Sequence, residues 1–167
     1  MQKKVLTEQA LYYGDVVIPK DWDIDREKLS KDILESNIKN SKISFSKNLD
    51  MLDTYIKEHT FLEYNINLVE KNKWGNIYKP NQTSKPLLDV NPVDLKNSPD
   101  FTLLYGVKVN KCWVRIYYED NKRKGKFSDI ELIDNKFIMF PSNNMYCITN
   151  DQKDSLNFIQ TITYEYI

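Results

Sequence analysis

Between residues 29 and 38 the apolar positions Leu29, Ile33, Leu34 and Ile38 recur four and five apart, a spacing that gathers side chains on one helical face. A helix is expected over 23–37, with Asp23 or Asp25 capping the free N–H groups of its first turn. A second helix is expected over 47–59, with Ser46 as N-cap and Leu49, Leu52, Ile56 and His59 on one face. After Thr60 the period drops to two. Leu62, Tyr64, Ile66 and Leu68 alternate with Glu63, Asn65 and Asn67, the pattern of a strand with one buried face. Ahead of the helices, Leu11, Tyr12, Val16, Val17 and Ile18 run up to Pro19, which predicts a strand within 1–22 at the edge of a sheet.

Strands dominate the remainder. Trp74–Tyr78 reads as a short one, and the segment 79–100 then holds four of the six prolines. It cannot be a central strand. An irregular excursion of that length tends to be a binding loop, a lid or an oligomer contact. Phe101–Val109 reads as a buried strand and Cys112–Tyr118 as its antiparallel partner, turned at Asn110 and Lys111. The tip EDNKRKGK, with Gly125 free to take positive φ, closes a second hairpin whose return strand is Ile130–Ile133. Asp134 and Asn135 turn the chain into Lys136–Phe140, and strands over 145–149 and 157–166 complete the series. Two helices followed by many short strands predict a mainly β fold, a jelly-roll with two helices over one side. With 167 residues we expect one domain: the strand in 1–22, helices in 23–60, and a β core in 61–167 containing the excursion 79–100.

Three stretches narrow this further. Trp74-Gly75-Asn76-Ile77-Tyr78-Lys79, Leu104-Tyr105-Gly106-Val107 and Asn135-Lys136-Phe137-Ile138-Met139-Phe140-Pro141-Ser142 stand in this order in the chain. Together they resemble the prolyl-hydroxylase-like 2-oxoglutarate/iron oxygenases, whose cupin-like double-stranded β-helix is thereby implied. In that family a His-x-Asp/Glu pair and a distal histidine hold Fe(II). The resemblance places the distal histidine at Tyr146 and the arginine that grips the co-substrate near Asn157, where a neutral amide cannot replace a guanidinium. The pair belongs between Tyr78 and Phe101, where Asp89, Asp94 and Asp100 occur without a histidine; the single histidine, His59, lies earlier. We therefore expect no cofactor, the alternative being Fe(II) and 2-oxoglutarate held by atypical ligands. The barrel mouth implied by the resemblance is lined by Trp74, Asn76, Tyr78, Tyr146 and Asn157.

Other chemistry is weaker still. His59 reads as a helix-end residue half-buried against the sheet rather than a ligand, and no glycine-flanked serine elbow offers it a nucleophile. Lys122, Arg123, Lys124 and Lys126 form a basic hairpin tip near Tyr117, Tyr118 and Phe127. Such a tip can clamp phosphate, but it normally keeps an edge strand solvated, so nucleic acid is not the expected partner. Lys plus Arg and Asp plus Glu both number 24, leaving no net field to draw polyanions or anionic lipid from afar. Cys112 and Cys147 lack zinc or redox spacing and read as reduced packing residues. No long apolar run or secretion leader is seen, so a cytoplasmic or virion setting without membrane contact is expected.

The expected function is a catalytically silent jelly-roll used for binding or assembly, with a protein partner or self-association. The style of the chain is similar to oxygenase-like proteins of tailed phages of marine bacteria, which implies a virion or accessory phage protein. The alternative is a divergent oxygenase or a small-molecule binder that keeps the barrel mouth.

Overall fold

The computed structural model describes residues 2–4, 8–19, 22–40, 47–118 and 125–167. It contains a strand β1 (Tyr12–Asp15), helices α1 (Arg26–Lys39) and α2 (Lys47–Tyr64), then β2 (Leu68–Tyr78), β3 (Gln82–Thr83), a 3₁₀ turn at Leu95–Asn97, β4 (Phe101–Lys108), β5 (Cys112–Tyr117), β6 (Phe127–Leu132), β7 (Lys136–Pro141), β8 (Tyr146–Asn150) and β9 (Asn157–Tyr166). Two antiparallel sheets form, one in the order β1-β7-β4-β9-β2 and the other in the order β3-β8-β5-β6. The fold is mainly β, a double-stranded β-helix with both helices over its larger sheet.

The core has two compartments. Between the helices and the five-stranded sheet lie Leu29, Ile33, Leu49, Leu52, Ile56, Leu103, Tyr105, Val107, Ile162 and Tyr164. Between the two sheets lie Leu104, Cys112, Val114, Ile116, Leu132, Ile138, Phe140, Tyr146, Ile148 and Ile159. Strand β4 feeds both, its residues alternating between compartments, and is buried almost throughout. Strand β5 alternates buried with exposed, because its outer face meets solvent.

That contrast corrects the first expected hairpin. Strand β4 pairs with β7 and β9, not with β5, which pairs with β6 and β8. The turn at Asn110 and Lys111, with Lys111 at φ 46°, carries the chain from one sheet to the other. A strand covered on both faces needs a sheet on one side and helices on the other, and a sheet-edge hairpin does not supply that.

The second helix also departs from expectation. It continues through Phe61, Leu62 and Tyr64 and stops at Asn65, whose φ of 56° is left-handed, a conformation that asparagine tolerates at a helix end. The apparent alternation over 62–68 is the last helical turn followed by a link. Strand β2 begins at Leu68 and runs 11 residues through the expected short strand at Trp74. Asp25 is the N-cap of α1, accepting from the Lys28 N–H at 2.9 Å. Of the apolar residues assigned to its inner face only Leu29 and Ile33 are buried; Leu34 is 40% and Ile38 74% exposed. The helix lies on the sheet by its first half. Strand β6 starts at Phe127, before the expected Ile130, while β1 lies at a sheet edge as expected. Ser46 and the tip residues Lys122, Arg123 and Lys124 lie outside the described residues.

Two glycines let the layers close. A Cβ at Gly75 would run into the Ile33 side chain of α1, and one at Gly106 would strike the backbone carbonyl of Ile133. The signature 104–107 thus has a steric reason at its third position.

Candidate functional site

Part of the segment 79–100 joins the edge of the four-stranded sheet. Strand β3 adds to β8, and beyond it Leu87 forms a single bridge to Tyr146 with hydrogen bonds of 2.8 and 3.0 Å in the two directions. Residues opposed in this way send their side chains from the same face, about 5.5 Å apart at Cα. Leu87 packs into the inter-sheet core. Two residues on, Asp89 shares its face: Tyr146 donates its hydroxyl to Asp89 Oδ2 at 3.0 Å, and Thr102 donates its own to the same oxygen at 2.8 Å. Ser142 Oγ lies 2.9 Å from Thr102 Oγ1 and extends the chain of hydroxyls.

Tyr146 opens β8 and is 2% exposed, its ring edge-on to Phe140 with centroids 5.0 Å apart. Burial above all, then the nearby Asp89 charge, raises its phenol far above the ordinary range, so it stays a donor. Tyr78, at the end of β2, is raised for the same leading reason, with Cys112 and Asp89 adding and a hydrogen bond from Asn76 opposing. Burial pushes the Cys112 thiol up to about 12, against a hydrogen bond from Asn157. This thiol is a packing group, not a nucleophile.

Of the five expected mouth residues, Tyr146 bonds to Asp89, while Tyr78 feels the Asp89 charge and has Asn76 as its hydrogen-bond partner. Trp74 belongs to the same strand, where its carbonyl accepts from Gln160 Nε2 at 2.9 Å. Asn157 is fully buried and bonded to a turn: its Oδ1 accepts from the Asn110 N–H at 3.1 Å and its Nδ2 donates to the Asn110 carbonyl at 3.3 Å. Its side chain therefore fixes the turn between the sheets. Lys126 pairs its carbonyl with the Tyr118 N–H at 2.9 Å. His59 does not lie on the buried face of α2; it is exposed, its Nδ1 3.3 Å from Glu63 Oε1 and its ring tilted against that of Tyr55 with centroids 4.1 Å apart. Thr60 takes its place inside.

The sequence offered Asp89 without a position and Ser142 only as the end of the 135–142 signature, and it drew no attention to Leu87 or Thr102. The available signal was the Leu87-x-Asp89 spacing, which puts both side chains on one face of an extended segment. Among the described residues no group of three or more His, Cys, Asp or Glu side chains is placed to hold a metal ion, and no helix is long and apolar enough to cross a membrane.

No family model matches the chain, and no curated protein does. Solved structures do. A prolyl-4-hydroxylase from Pseudomonas putida superposes with a TM-score of 0.61 at 11% identity, over 94% of this chain and 92% of that one. A viral collagen prolyl hydroxylase from Paramecium bursaria chlorella virus-1, solved with 2-oxoglutarate, gives 0.64 at 11% identity over 94% and 96%. A non-haem α-ketoglutarate-dependent epimerase from nogalamycin biosynthesis gives 0.66 at 9% identity over 93% and 77%. The chain has the fold of the prolyl-hydroxylase-like 2-oxoglutarate/Fe(II) oxygenases, and at these identities the likeness is one of fold.

Proposed function

We propose that this chain is a catalytically silent double-stranded β-helix that serves as a binding or assembly module. The observation that carries the reading is the hydrogen bond from Tyr146 to Asp89, opposite Leu87. The fold family implies a His-x-Asp pair facing a distal histidine, and Leu87, Asp89 and Tyr146 stand in that relation. Iron bound on three faces needs three donors. Leu87 has none, the Tyr146 hydroxyl is directed at Asp89, and that same Asp89 oxygen accepts a second hydroxyl from Thr102. These residues do not fit Fe(II), and Asn157, an amide bonded to a turn, does not fit a co-substrate carboxylate. Phe140, Ile138, Ile148 and Ile159 fill the space between the sheets, which supports a packed interior over a substrate chamber. A virion or accessory phage protein is the setting in which we place the module.

A second reading, a divergent 2-oxoglutarate/Fe(II) oxygenase or small-molecule binder, is favoured by the activities named for the similar structures. Thermal melting with Fe(II) and 2-oxoglutarate separates the two. We expect no shift. A saturable shift equivalent to about 2.7 kcal/mol at a hundredfold excess over Kd would overturn the silent reading. Mass measurement in solution tests self-assembly; a strict monomer at about 100 μM, well above the roughly 1 μM Kd of a modest association, counts against it.

A further inference from the structure

A groove of about 530 Å³ runs between the segment 8–12, the end of β9 and the last turns of the excursion. Tyr12, Phe101 and Tyr166 line it, with Pro99 and Pro141 between them. The rings form a connected row: Tyr12 to Phe101 at 6.3 Å, Phe101 to Tyr166 at 6.1 Å, and Tyr64 edge-on behind Tyr12 at 4.9 Å. Tyr166 is 59% exposed, so a face of its ring is open to a ligand. Two carboxylates, Glu8 and Asp100, stand among the lining residues, and among the described residues no lysine or arginine lines the groove. Asp100 is fixed there, its Oδ2 accepting from the Tyr166 N–H at 3.1 Å and its backbone carbonyl accepting from the Ser142 N–H at 2.9 Å.

We propose that this groove binds an extended segment of a partner protein through a lysine or arginine side chain. The electron-rich ring faces and the two carboxylates both favour a cation, and among the described residues no cationic lining residue competes for them. The apolar stretch of Ile66, Val90 and the prolines accepts the methylene stem that such side chains bury. The volume exceeds what a single ammonium head needs, which points to a side chain with its backbone rather than a free ion. The inference rests on the reading of this fold as a binding module, but on different residues from the barrel mouth.

The test uses the full chain and three acetylated, amidated pentapeptides, Ala-Lys-Ala-Lys-Ala and its arginine and norleucine counterparts, titrated by calorimetry or by chemical-shift changes. The lysine or arginine peptide should bind saturably, and the norleucine peptide should bind at least about fivefold more weakly, the effect of one lost cation–π contact. Asp100→Asn and Tyr166→Ala should each weaken the cationic peptide several-fold, while Tyr166→Phe should restore it. Unchanged melting of the variants shows that the fold is intact. Equal binding of the norleucine peptide overturns the proposal by making the groove merely apolar, as does binding indifferent to both substitutions or no saturation by about 5 mM, weaker than the roughly −4.1 kcal/mol of a millimolar site. The iron and 2-oxoglutarate titration reads the other site, so the two readings fail separately.

Discussion

Histidines at Leu87 and Tyr146 should turn this scaffold into a metal binder, because Asp89 already stands beside both. In the double variant Leu87→His, Tyr146→His, two imidazoles leave one face of the β-bridge and the Asp89 carboxylate loses only its bond to the phenol. Without metal the variant is weaker. Tyr146 is almost fully buried against Phe140, and exchanging its ring for a smaller, polar one costs about 2–3 kcal/mol. Leu87 is half-buried, and its replacement costs about 1 kcal/mol. For a chain of this size a loss of about 3–4 kcal/mol lowers Tm by roughly 6–16 °C. Cobalt(II) or zinc(II) at a hundredfold excess over Kd should then return about 2.7 kcal/mol, or roughly 5–11 °C. Differential scanning calorimetry reads both quantities. Either single variant should gain much less, and adding Asp89→Ala should abolish the gain. A double variant that melts cooperatively yet ignores metal would refute the placement of these three residues at ligand positions.

Asp89→Ala in the unaltered chain leaves the Tyr146 hydroxyl buried without its acceptor, at a cost of about 1–3 kcal/mol in chemical denaturation, and should speed proteolysis within 79–100. Gly106→Ala should destabilise more than Gly75→Ala, because the first meets the Ile133 carbonyl and the second a side chain that can turn; about 3 against about 1–2 kcal/mol is the expected order. Stability should also decline in alkali. The folded Cys112 pKa is raised from 9.0 to about 12, so its contribution is complete below pH 9 and is lost as pH rises from there towards about 12. Tyr78, Tyr105, Tyr146 and Tyr164 are raised by burial in the same sense. Absorbance of tyrosinate should therefore appear for these four only with unfolding, and their ionisation near pH 10 in the folded protein would contradict the burial.

The fold was legible in the sequence where a local rule coincided with a global one. The apolar run within 135–142 and the return strand 157–166 read as buried strands, and they form β7 and β9. The hairpin of β5 and β6 follows from adjacency. Adjacency misled at Asn110, since the expectation that neighbouring strands pair does not know which one needs helices on its back. Leu62 to Leu68 misled because helical and extended periods share positions over so short a run, and the left-handed asparagine that decides between them is an ordinary residue in the text. At the site, Tyr146 and Asn157 were reachable by counting from Phe140-Pro141-Ser142. For Leu87 and Asp89 only the i, i+2 spacing was legible, because an irregular, proline-broken segment has no period from which a register with β8 can be read.

The position of β9 has a consequence for how a nascent chain acquires this structure. It lies between β4 and β2, and its register joins Leu68 to Tyr166, so the facing edges of two earlier strands stay open until 157–166 has left the ribosome. About 50 residues separate the end of β4 from that strand. At about 5–20 residues per second that is roughly 2.5–10 s of translation with hydrophobic strand edges unpaired. Synthesis stalled before residue 157 should leave an aggregation-prone intermediate, a natural client for ribosome-associated chaperones.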